Sequence, residues 1–225
     1  MASSGRARPA QKRVTTQITE PMTMLTDYAL AAVSLLFAVL LFRVNRRQRQ
    51  ISVWLWISAL SITAAAAIVG GAYHGFTFYL SEATARMLWK ATVYLIGLGS
   101  LFMLSGTIVA SVSCPLREWL LAATVAKFVV YAVWMAFHDE FRYVVYDYAP
   151  AMLGVLFLQI YAAYARGDES AKWFVAGVLV SFAAAGIQQS GFSLHRNFNH
   201  NDLYHCIEMG AVYLFYRGGC LLRDK

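Results

Sequence analysis

Residues 53–78 read VWLWISALSITAAAAIVGGAYHGFTF, without a single Lys, Arg, Asp or Glu. A helix needs about 20 mostly apolar residues to cross a hydrocarbon core about 30 Å thick, and this stretch is long enough. Working outward from it, six further stretches have the same character: 25–44, 83–112, 116–137, 142–165, 171–192 and 202–222. Pro115 separates the third from the fourth, because proline lacks the N–H and its ring clashes with the preceding turn. His138-Asp139-Glu140 and Gly167-Asp168-Glu169 close the fourth and fifth, and Pro150 predicts a kink in the fifth. The connections are short, so neighbouring helices are expected to run antiparallel. The pattern predicts an all-α fold, a seven-transmembrane helix bundle.

Composition agrees. Of 225 residues, 59% are hydrophobic and only 14% charged, whereas a soluble domain carries about 25% charged residues. The net charge of +7 would suit a polyanion, but the charges lie in short clusters between apolar runs, as in a multi-pass membrane protein. The expected partner is therefore the lipid bilayer and not nucleic acid. Residues 1–24 are polar and basic, and are predicted to form a disordered tail ahead of a membrane domain at 25–222. A signal peptide is not expected, since the polar region is long and Glu20 precedes the first apolar run.

Basic residues in short loops mark the cytoplasmic side. Arg43, Arg46, Arg47 and Arg49, then Arg117, then Arg166 and Lys172 fall on one side, with Arg217, Arg223 and Lys225. That bias predicts a cytoplasmic C-terminus and a non-cytoplasmic N-terminus. Cys114 and Cys220 fall on one side and Cys206 near the other, so a disulfide framework is not expected.

All five histidines, His74, His138, His195, His200 and His205, fall toward the predicted non-cytoplasmic side, with Glu82, Asp139, Glu140, Asp147, Asp202 and Glu208. Glu208 lies within a span, one turn beyond His205, where an ionisable group is costly and normally faces the bundle interior with a partner. Asp147 and Lys127 raise the same question in the fifth and fourth spans. The densest polar segment is 188–205, QQSGFSLHRNFNHNDLYH. At about 100° per residue, Asn201, Asp202 and His205 share a helix face, while His200 and His205 lie about 140° apart. His200 can therefore join His205 at a metal only from a non-helical lead into the seventh span. A catalytic zinc usually has three protein ligands and one open position for water, and His74, His205 and His200 (or Asp202) would supply three. Asp202 and Glu208 are the carboxylates expected to act on that water.

The pattern resembles the CREST superfamily of seven-span membrane proteins, which includes alkaline ceramidases, progestin and adipoQ receptors and Per1-like proteins. His74, preceded by Tyr73, is similar to the family's second-span His, and 201–213, NDLYHCIEMGAVY, is similar to its seventh-span pattern. The chain looks closest to uncharacterised bacterial seven-span relatives. The resemblance implies an intramembrane zinc and hydrolysis of a lipid-like amide or ester. The chain departs from the pattern in three places: Asn201 stands at the first His of His-x-x-x-His, Gly70 at the Ser four residues before the second-span His, and the family's Asp in or near the third span has no clear match, Glu82 and Glu208 being the nearest acids.

Each residue has a plainer role beside the catalytic one. Asp202 suits the first turn of a helix as a cap, Glu208 a hydrogen bond to Gln188, Gln189 or a neighbouring helix, and His200 a solvated loop. Glycines 70, 71, 75, 97 and 99 suit close helix packing, and Trp54, Trp56, Trp89, Trp119 and Trp173 interfacial anchoring. A retinal protein is excluded, since the last span has no lysine for a Schiff base. A zinc-dependent intramembrane hydrolase thus stands beside a non-catalytic ligand-binding or sensing protein and, third, a small transporter.

Overall fold

The computed structural model describes residues 18–225. The tail expected at 1–24 lies outside the described residues up to residue 17. From there Thr19 and Glu20 are laced by their backbone N–H groups to the carbonyls of Gly75 and His74. The first helix opens at Pro21, four residues before the expected boundary, at the position where proline's fixed φ and missing N–H are tolerated.

Seven α-helices follow: α1 (Pro21–Gln48), α2 (Ile51–Phe76), α3 (Glu82–Ser111), α4 (Leu116–Phe137), α5 (Arg142–Arg166), α6 (Ala171–Ser190) and α7 (His200–Leu221), with a 3-10 turn Thr77–Tyr79 after α2. The fold is all-α among the described residues. The first six helices are long and apolar enough to cross a membrane. α7 is of comparable length but carries Asp202, His205, Glu208 and Arg217. Glycines at positive φ end α5 and α6, Gly167 at 63° and Gly191 at 69°, a backbone state that costs a residue with Cβ. α5 runs through Pro150 as one helix.

Packing arranges six helices in a closed ring. α1 lies on α2 and α7, α2 on α3, α3 on α5, α5 on α6, and α6 on α7, while α4 sits outside against α3 and, more lightly, α5. Small residues set the close approaches. A Cβ on Gly71 would stand 2.7 Å from the Tyr28 ring, and one on Gly218 2.7 Å from the Phe174 ring. Trp56 is fully buried against Phe174 and Phe215, so it belongs to the core and is no interfacial anchor. Trp119 is exposed, as an anchor should be. The three cysteines are free.

α4 is held by a polar network. Lys127 Nζ lies 2.5 Å from Asp147 Oδ1 and donates to Ser100 Oγ, which donates to Asp147 Oδ2 at 2.7 Å. Asp147 and Lys127 thus answer each other across α5 and α4.

The chain's last residues stitch the opposite end. The N–H groups of Ile51 and Ser52, unpaired at the start of α2, donate to Asp224 Oδ2 at 2.6 Å and Oδ1 at 2.8 Å. Arg117 donates to the Lys225 carbonyl.

Candidate functional site: a polar end on an apolar cavity

α7 begins with a capping box. The Asn199 side chain accepts from the N–H of Asp202, whose Oδ2 accepts from the Asn199 N–H at 2.7 Å. Asp202 is therefore the reciprocal member of the cap, three residues inside it. It is fully buried at 0% exposure, with Oδ1 lacking a partner. His200 is the first helical residue, so the helical geometry that turns it away from His205 applies.

One turn on, His205 enters the bundle at 8% exposure. Its Nδ1 lies 3.0 Å from Thr26 Oγ1 and its Nε2 lies 3.2 Å from Asp27 Oδ1. The Thr26 hydroxyl also donates to the Thr23 carbonyl at 3.1 Å, and one hydroxyl has a single proton to give. With that proton on Thr23, Nδ1 of His205 must be the donor to Thr26. A single proton then serves the Nε2–Oδ1 contact, held by the ring or by the carboxyl. Asp27 is 5% exposed, and its Oδ2 is buried without a partner among the described residues.

Another turn on, Glu208 is 6% exposed. Its Oε1 accepts from Ser181 Oγ of α6 at 3.0 Å, and its Oε2 has no partner among the described residues. The partner is thus Ser181 and neither Gln188 nor Gln189. Gln188 instead donates to Asn201 Oδ1 at 3.3 Å.

His74 sits at the end of α2 with its Nδ1 2.9 Å from Glu20 Oε2, close to where the residues before α1 are laced down. Among the described residues, no group of three or more His, Cys, Asp or Glu is placed to hold a metal ion. His74 faces Glu20, His205 faces Thr26 and Asp27, and His200 points elsewhere on α7. The ligand set implied by the resemblance is not assembled, so these residues do not fit a zinc site as they stand.

His205 and Glu208 belong instead to the wall of a cavity of about 370 Å³ inside the ring. Its walls are mainly apolar and aromatic, including Leu60, Ile96, Met103, Met152, Val212 and Phe215, and among the described residues no Lys or Arg lines it. Gly186 and Gln189 of α6 line it while being exposed, so it opens beside the last turns of α6. A few polar groups at one end of an apolar pocket of this size are the usual makings of a small-molecule site.

Sequence reasoning missed Asp27, Thr26 and Ser181. Asp27 left a signal: it is the only charged residue between Pro21 and Arg43. Thr26 and Ser181 left none, being common in apolar helices as self-satisfied hydroxyls.

Comparison with the curated proteins and with the solved structures finds no match. A family model does match, over residues 22–224, and the chain belongs to that family, DUF6962, described as a family of unknown function.

Proposed function

We propose that the protein is a seven-span integral membrane protein that binds a lipophilic single-chain amphiphile within its ring of helices. The observation that carries this is the cavity of about 370 Å³, apolar along its walls and ending at His205 and Glu208. α7 completes the seven spans: its polar side chains Asp202, His205 and Glu208 are buried inward, as ionisable groups at membrane depth require. The arginines at the C-terminal end of α1 are exposed and support a cytoplasmic C-terminus. On that orientation the polar end of the cavity lies in the non-cytoplasmic half of the bilayer. Solvent extraction of the purified protein followed by mass spectrometry tests the proposal: one amphiphile retained per chain is expected. Protein that carries none, and takes up none when offered amphiphiles, would overturn it.

Hydrolysis of a lipid-like amide or ester at the same place is the second function that an observation favours, namely the His205–Asp27 pair at the cavity wall. A carboxylate that fixes an imidazole's orientation and tautomer is a recurring part of acid–base machinery. Glu208 and Asp202 would be the further acids. Release of fatty acid from an amide or ester substrate by purified protein, lost in His205→Ala, is the result that would establish it.

A further inference from the structure

We propose that the amphiphile's head group is a protonated amine, received by Glu208; this rests on the cavity being a lipophilic binding site. Glu208 is 6% exposed, lines the cavity, and has Oε2 without a partner among the described residues. A buried carboxylate normally finds an opposite charge or a full set of donors. Asp147 finds such a charge in the Lys127 ammonium at 2.5 Å. Glu208 has one hydroxyl from Ser181, and among the described residues no Lys or Arg lines the cavity.

The donors around Glu208 are already engaged. Ser181 donates to Glu208 itself and Gln188 to Asn201, while the two ring nitrogens of His205 face Thr26 and Asp27. What remains is the acceptor Oε2, the Tyr204 hydroxyl, which can accept as well as donate, and the Gln189 amide at the exposed mouth. A ligand that only accepts, such as a carboxylate, meets a carboxylate there. A neutral alcohol satisfies Oε2 without balancing its charge. An ammonium does both, with three donors on one atom, and the rings of Tyr148 and Tyr204, which also line the cavity, suit a cation. The apolar walls beyond Glu208, at Met103, Met152, Val212 and Phe215, take the chain.

Dodecylamine, dodecanol and dodecanoate share one chain and differ in the head, so their binding to the full-length protein in lipid nanodiscs, followed by native mass spectrometry, reads the head group alone. Dodecylamine is expected to bind about tenfold or more tighter than dodecanol, as a charge-assisted hydrogen bond in a dry site implies, with dodecanoate weakest. In Glu208→Gln the amine should lose that advantage and bind like the alcohol. Equal binding of all three by the wild-type protein would overturn the head-group assignment and leave the lipophilic site standing. Binding of none would overturn both. Should Glu208→Gln fail to fold, the order of the three probes on the wild-type protein still decides.

Discussion

His205 of α7 presents Nε2 to Asp27 Oδ1 of α1 at 3.2 Å, while its other ring nitrogen lies 3.0 Å from the hydroxyl of the neighbouring Thr26. The contact joins the first and last helices and so closes the ring. Removing one member of a buried pair leaves the other uncompensated, at about 3 kcal/mol or more, while removing both is often far milder. His205→Ala and Asp27→Ala should each lower unfolding stability in detergent by about that much. The double variant should cost clearly less than the sum. A strictly additive double variant would show that the two side chains are not coupled.

Gly70 is the position where an added side chain should help. A Cβ there would stand 3.7 Å from Asp27 Oδ1 and 3.8 Å from Oδ2, and Oδ2 is buried without a partner. Gly70→Ser places a hydroxyl within reach of that oxygen and removes a helix-interior glycine. The hydrogen bond and the backbone gain are each worth about 0.5–1 kcal/mol. A raised unfolding midpoint is expected, and an unchanged or lowered one would mean that Oδ2 takes no donor from α2.

Asp224 caps α2 from the far end of the chain, taking the N–H groups of Ile51 and Ser52. Asp224→Ala should cost about 1 kcal/mol, the ordinary worth of a helix cap. It should also speed hydrogen exchange in the first turn of α2. Exchange there at the wild-type rate would contradict the cap.

The helices were largely legible in sequence because a hydrocarbon solvent demands long apolar runs with internally paired backbones. α2 to α7 lie within two residues of their expected bounds, while α1 runs four residues further at each end. The polar end was half legible. His205 and Glu208 stand out as rare ionisable groups in an apolar helix, and the structure buries both at the cavity. Asp202 was legible as a capping residue, although Asn199 is the cap itself. The His205–Asp27 and Glu208–Ser181 pairings were not legible, because they join helices remote in sequence and depend on ring closure between α1, α6 and α7. His74 and His200 were chosen for sharing one end of the bundle. Sharing an end does not bring side chains together: His74 meets Glu20, and His200 turns away from His205.

Zinc analysis of protein purified from metal-replete cells separates the two functions. Amphiphile binding through Glu208 needs no metal, so the expected zinc content is well below one per chain and unaffected by His200→Ala. Stoichiometric zinc that disappears in both His74→Ala and His205→Ala would favour the hydrolase instead.

The most direct test of the central claim is the stoichiometry of dodecylamine binding in nanodiscs for the wild-type protein and Gly186→Phe. Gly186 lines the cavity, and a Cβ there would meet no neighbour within 4 Å, so phenylalanine should occupy the mouth without unfolding the ring. A lipophilic site inside the ring predicts one saturable amine per wild-type chain and none in a folded Gly186→Phe protein. Equal saturable binding by both proteins would place the ligand elsewhere and contradict it.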